Sequence, residues 1–457
     1  MLAVLAALTT AALSACGGGD QATGSTQAPG ADAIDKAGGV VKVEFWHGMK
    51  GANGAAIDKL VADFNAAHQG KIEVAASYQG DYDATIAKYK AAVQQKNTPE
   101  LVQIYDIGSR FMIDSKQTLP MHQFIEADSW DTSVIEPNIA NYYSIDGKLA
   151  SMPFNSSMPL LYINKEAFER AGLDPNDPPS NLDEIAEYAE KLTVKDASGH
   201  VTQYGFGAAI YGWFVEQLLA QDGKQYCDQD NGRKALASKV LFDSPEGVRI
   251  AQWWTELVNA GYATNTGRKT DDAQAAFKSG TVAMHLESTG ALRGYLDAAK
   301  DKFTVVTAPF PKLSAASSGG PIIGGASLWI NSVGHSDAEK RASWEFVKFA
   351  ASAQQQAQWH VGTGYFPVNR GALQEPVHKD WIAKYPQFGT AIDQLHATQP
   401  SVASAGCILG VMPQARQAAE NGLEKAITGG AQPEQAMKDA ATSIQPEIDN
   451  YNKAVGG

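Results

Sequence analysis

The chain has 457 residues, 44% of them apolar and 19% charged, with a formal net charge of −13. That length is too great for one hydrophobic core and calls for roughly two or three domains of ordinary folded composition. The acidic balance excludes the basic stripe of a nucleic-acid binder, although one arginine in a cleft would still hold a small anion.

Met1 to Ala15 is almost wholly apolar and ends Leu13-Ser14-Ala15-Cys16-Gly17. An apolar run closing on small residues is a secretory signal and is too short to span a bilayer. Its end matches a bacterial lipobox, so Cys16 is the expected lipidated residue. Residues 17–40 are rich in Gly, Ser, Thr, Ala, Gln and Pro and read as a flexible tether. Residues 1–16 are therefore a lipoprotein signal, and a folded body is held by one end outside the cytoplasmic membrane. Cys227 and Cys407 are the other two cysteines. Export permits a disulfide between them, and two unpaired buried thiols are an equal alternative.

From Val40 the sequence alternates between strand and helix. Val40 to Phe45 reads as a strand, and Ala55 to Ala67 places Ile57, Leu60, Val61 and Phe64 on one helical face. Lys71 to Ala75 is a strand, Tyr82 to Gln94 a helix, and Leu101 to Tyr105 a strand. The segment from Ser151 to Lys165 carries prolines at 153 and 159 around Asn155-Ser156-Ser157, so it reads as extended chain passing from one lobe to another beneath a cleft. Ser180 and Asp183 suggest a capping box for the helix Leu182 to Leu192. Further helices are expected at Val248 to Val258, Asp271 to Lys278 and Ser288 to Ala299, with strands at Thr281 to His285 and Phe303 to Thr307. Gly324 and Gly325 interrupt the strand Pro321 to Ile330, as at a bulge or a close backbone approach. Ser336 and Glu339 cap the next helix, and Met412 to Ile427 and Pro433 to Tyr451 are helical. The pattern is that of parallel βαβ units in two α/β lobes, with a ligand site where strand ends face each other.

No nucleophile elbow, zinc helix, phosphate loop or paired CxxC occurs, and the histidines lack metal-ligand spacing. His47, just after a strand end, is a candidate ligand contact or a turn cap. Asp106 follows the strand at Tyr105 and would accept from ligand hydroxyls or cap the next helix. Tyr82 follows a turn. The run Tyr204 to Trp213 places aromatics between glycines, where an exposed Trp213 face could stack on a ligand. Arg416 lies in the first turns of a late helix, suited to phosphate or merely solvated.

Several segments resemble the glycerol-3-phosphate-binding branch of the extracellular solute-binding proteins, family 1, of bacterial ABC importers. They are Phe45-Trp-His-Gly-Met49, Gly80-Asp-Tyr82, Pro153-Phe-Asn-Ser-Ser157, Tyr162-Ile-Asn-Lys165 and Gly172-Leu-Asp-Pro175. In order after these come Gly267-Arg-Lys269, Gly324-Gly-Ala-Ser-Leu-Trp329, Thr363-Gly-Tyr-Phe-Pro367 and Met412-Pro-Gln-Ala-Arg416. The resemblance spans the mature body and implies a bilobal, hinge-linked type II periplasmic-binding-protein fold. It divides the body into 41–153 with 286–335, an N-terminal α/β lobe, and 154–285 with 336–457, a mostly helical C-terminal lobe.

The same resemblance implies a monomeric binding protein without cofactor or metal. It would deliver glycerol-3-phosphate or a glycerophosphodiester such as glycerophosphocholine to two permeases driven by an ATPase dimer. Tyr82, Asp106, Ser157, Trp213, Gly325, Tyr365 and Arg416 would line the cleft. Arg416, Tyr365 and Gly325 would hold phosphate, Asp106 and Tyr82 the glycerol hydroxyls, and Ser288 or Thr289 would add a hydroxyl. Two positions depart from the family: Asp106 stands where a glutamate is usual, and Ile210 where a second tryptophan is usual, which opens the pocket towards a bulkier head group. The alternatives are a sugar or oligosaccharide receptor of the same fold, and an exported hydrolase, which would need paired carboxylates or a metal cluster.

Overall fold

The computed structural model describes residues 27–456. The lipidation expected at Cys16 and the first part of the tether lie outside the described residues. The end of the tether is folded: Ala33–Lys36 forms a helical turn, and Ala28 and Ile34 pack against the core.

Among the described residues, ten strands of three residues or more build two sheets, whose edges are extended by two-residue pieces. In chain order they are β1 Val41–His47, β2 Ile72–Tyr78, β3 Leu101–Tyr105, β4 Met152–Ser157, β5 Pro159–Asn164, β6 Val201–Ala208, β7 Ala263–Asn265, β8 Val282–Ser288, β9 Val305–Pro309 and β10 Gly324–Asn331. The first sheet runs β2-β1-β3-β10, with β4 also paired to β10, and the second runs β7-β6-β8-β5-β9. β1 is parallel to β2 and β3, and β6 to β7 and β8, as helical crossovers require. β10 is antiparallel to β3 and β4, and β5 to β8 and β9.

The passage between lobes is as short as its prolines suggest. β4 ends at Ser157 in the first sheet and β5 begins at Pro159 in the second, so Met158 alone separates them. All residues of both strands are buried, as expected where a sheet is covered on both faces. Ser157 and Ser156 stand opposite Gly324 and Gly325 in β10, which shifts register after Ala326.

The helix Gly51–Ala67 buries Ile57, Leu60, Val61 and Phe64, the face its 3.6-residue pattern marks out. Ser336 and Glu339 form the reciprocal capping box. At Leu182–Leu192 the cap is Asn181 instead, whose side chain accepts from Asp183 and Glu184, while Ser180 donates to Glu184. Asn181 is better placed because it sits one residue closer to the first helical turn. Cys227 and Cys407 are bridged, closing a loop across 180 residues.

Two elements show most plainly how the lobe boundaries differ from the expected division. β9 pairs with β5 in the second sheet although it falls within 286–335. The helix Asp337–Ala350 packs on β1 and β10 of the first sheet although it falls within 336–457. Neither is legible locally, since pairing partners lie far away in sequence. The last two helices, Met412–Ile427 and Pro433–Val455, pack on each other and on Pro245–Asn259 in the second lobe.

Candidate binding cleft

The centre is a buried arginine shared by both lobes. Arg416 stands in the helix Met412–Ile427, and its guanidinium reaches back to Trp213–Gln221. Nε donates to Glu216 Oε1 at 2.6 Å and Nη2 to Oε2 at 2.9 Å, a two-point fork. Nη1 donates to the Tyr211 hydroxyl at 3.1 Å, and the guanidinium lies 5.3 Å from the centre of that ring. Gly212 makes room: a Cβ there would lie 2.6 Å from Arg416 Cγ.

From the other lobe comes Asp106, the first residue after β3, opening a single turn at Asp106–Gly108. Its Oδ2 is 3.6 Å from Arg416 Nη2, and both side chains are buried. One guanidinium thus faces two carboxylates. Burial pushes Asp106 up to about 6 against the pull of Arg416, and pushes Glu216 up as well. Arg416 stays charged: its pKa is held well above the ordinary value although burial opposes the charge, because Glu216, Tyr211 and Asp106 favour it.

Beside this cluster lies a neutral polar group. Asn155 Nδ2 donates to the Tyr82 hydroxyl at 2.7 Å, and that hydroxyl is 3.4 Å from the hydroxyl of Tyr365. Gln103 fixes Asn155 by donating to its Oδ1 at 2.7 Å. Tyr365 stacks on Trp359 with centroids 5.9 Å apart. Burial raises both phenols, so they remain hydroxyls able to donate or accept. The two groups are neighbours, since the Tyr82 ring centre lies 5.3 Å from that of Tyr105, the residue before Asp106.

The remaining candidates fall as follows. Gly325 adopts φ +96°, and Ser157 is buried opposite Gly324. Trp213 is only 5% exposed, and its ring lies against Gly324, where a Cβ would sit 2.6 Å from Trp213 Cζ2. The expected open stacking face is therefore corrected to a ring enclosed between the lobes. Ser288 accepts from the Gly290 N–H at 3.1 Å, whereas the Thr289 hydroxyl is buried without a hydrogen-bond partner. Ile210 is buried as well. His47 accepts from the Met49 N–H at 3.2 Å, the role of a turn cap, and burial lowers its pKa.

Glu216, the carboxylate that grips Arg416, is marked out by no sequence motif. It lies in a helix whose nine residues are all buried, so no amphipathic pattern singles it out. The one signal is a lone acid in an apolar run, which requires a buried cation. Glu100, His335 and Glu339 bring ligand atoms within 4.8 Å of one another. They sit at the other end of β3 from Asp106, and Glu100 and Glu339 already accept from backbone N–H groups.

Two sheets joined by a one-residue passage, with an ion cluster drawn from both sides, define a two-lobed receptor for a small solute. The chain belongs to the family described as bacterial extracellular solute-binding protein, whose model matches residues 59–390. It is 33% identical over 437 residues to the sn-glycerol-3-phosphate-binding periplasmic protein UgpB of Escherichia coli K12, covering 94% of this chain and 98% of that one. The Pectobacterium atrosepticum protein of that name is 32% identical over 403 residues, covering 87% and 89%. Among solved structures, UgpB from Mycobacterium tuberculosis in complex with glycerophosphocholine superposes with TM-score 0.76 at 23% identity, covering 90% of this chain and 99% of that one. The GacH receptor of Streptomyces glaucescens, solved unliganded and with acarbose, superposes at 0.73 and 21% identity, covering 91% and 99%. The protein is thus an extracytoplasmic solute receptor, a binding protein and not an enzyme. Among the described residues no helix is long and apolar enough to cross a membrane.

Proposed function

We propose that this receptor captures glycerol-3-phosphate or a glycerophosphodiester such as glycerophosphocholine by closing its lobes around it, as a monomer anchored through a lipid on Cys16. The observation that carries the reading is Arg416: a buried guanidinium on one lobe, 3.6 Å from a carboxylate on the other. A sugar receptor has no need of a buried guanidinium in its cleft, whereas a phosphate group is matched by the N–H donors of one. Arg416, Tyr365 and the Gly325 backbone hold phosphate in this reading. Asp106 and Tyr82 take the glycerol hydroxyls, and Ser157, Trp213 and Thr289 or Ser288 complete the wall. The names of the relatives and the ligand in the Mycobacterium tuberculosis complex agree with it.

The test is titration calorimetry of the body lacking the tether against glycerol-3-phosphate, glycerophosphocholine and maltose, with the wild type and Arg416→Ala. Micromolar or tighter binding of a phosphate compound, lost in the variant, is the expected result. Binding of maltose alone, untouched by Arg416→Ala, would make this a sugar receptor.

A further inference from the structure

Glu216 engages the Nε–Nη2 edge of Arg416 from the same lobe. The opposite edge, Nη1 with the second Nη2 hydrogen, faces Tyr211 and the Asp106 carboxylate of the other lobe. Separating the lobes would part Arg416 from Asp106 and leave the Glu216 fork intact. The guanidinium therefore meets an incoming anion already paired, with only one edge to offer.

Electrostatics then limit what that edge accepts. Arginine and Glu216 cancel, and Asp106 adds one negative charge when ionised, so a phosphoryl group enters a site with no positive surplus. A group bearing one charge loses little there. A group bearing two is repelled by both carboxylates at short range in a poorly screened interior.

We propose that Glu216 is a positioning residue that sets charge selectivity, making the site favour singly charged phosphodiesters over doubly charged phosphomonoesters. This rests on the glycerophosphate reading given above. It does not depend on the head group, because the discrimination lies at the phosphoryl oxygens.

The test compares two compounds that share the glycerol skeleton and differ chiefly in phosphoryl charge: glycerol-3-phosphate and its phosphate methyl ester. Calorimetry at pH ~7.5 on wild type is expected to show tighter binding of the methyl ester. In Glu216→Gln, which keeps an amide oxygen towards Arg416, the ratio should shift towards the monoester by about tenfold or more. A merely structural role for Glu216 would weaken both ligands in parallel and leave the ratio fixed, and that result overturns the inference. If neither ester binds wild type, the glycerophosphate reading itself fails and takes the inference with it.

A second measurement needs no variant. Lowering the pH below the second phosphate ionisation, near ~6, makes the monoester singly charged. The titratable groups acting on the guanidinium are Glu216 and Tyr211 beside it, Tyr105 and Asp106 at the end of β3, and Glu420 one turn along its own helix. Protonation of these carboxylates acts in the same direction, so the wild-type preference for the methyl ester should collapse between pH ~7.5 and ~5.5. A preference that stays constant over that range overturns the proposal.

Discussion

Gly325 and Asn155 approach so closely that a side chain on the glycine has nowhere to go. A Cβ there would lie 1.8 Å from the Asn155 carbonyl oxygen, on a backbone already at φ +96°. The contact holds β10 against β4, where Asn155 also supports Tyr82.

Gly325→Ala is therefore expected to cost at least about 3 kcal/mol, combining the left-handed backbone penalty with a clash the strand pair must open to relieve. Gly334 shares a positive φ, +84°, but a Cβ placed on it would meet nothing within 4 Å. Gly334→Ala should cost only about 1 kcal/mol. Urea denaturation of the two variants checks the contrast, and equal losses would contradict the close approach.

Asp106 gives a pH signature. Its folded pKa, about 6, lies above the ordinary aspartate value of 3.8 because burial outweighs Arg416. A group raised in this way supports folding fully below its unfolded pKa, and that support is lost as pH climbs through the folded one. Asp106→Asn removes the loss. The variant should exceed wild type by about 2 kcal/mol at pH ~7.5, with the difference closing near pH ~4. Thermal melts across that range measure it, and a difference independent of pH would refute the assignment.

The Cys227–Cys407 bridge closes a loop across 180 residues, joining the segment after the Trp213 helix to the one before the Arg416 helix. Reduction, or Cys227→Ser with Cys407→Ser, should lower stability by about 2–5 kcal/mol through the freed unfolded chain. Melting with and without reductant tests this, and an unchanged midpoint would mean that the bridge adds nothing.

Lys50 and Asp271 span the lobes at 2.5 Å, yet their side chains are 57% and 59% exposed. Solvent screens such a pair, so Lys50→Ala should change stability by less than about 0.5 kcal/mol. A larger loss in the same melts would show that the pair acts in a less screened setting than its exposure indicates.

The strand and helix order is legible in the sequence because it rests on local chemistry. Ile57, Leu60, Val61 and Phe64 repeat at helical spacing, Pro153 and Pro159 enforce extension, and Ser336 with Glu339 caps within one turn. Relations between distant segments are not legible in this way. Nothing near Val305 says that it pairs with Asn164, and nothing near Trp344 says that it packs on the first sheet. Arg416 stands out as an arginine near a helix start, but its partner Glu216 is 200 positions away in a helix with no exposed face. Trp213 misleads for a related reason: glycines around an aromatic signal close approach, and here the approach is that of Gly324 covering the ring.

Met158 is the whole length of chain between β4 and β5, and its carbonyl accepts from the Thr289 N–H at 3.0 Å. The polar residues at the cleft floor, Asn155 to Ser157, are therefore continuous with the fulcrum on which one sheet would turn against the other. A solute resting on that floor would load the pivot itself rather than a distant arm. A change at that floor would then reach the spacing of the outer rims through a single residue of chain.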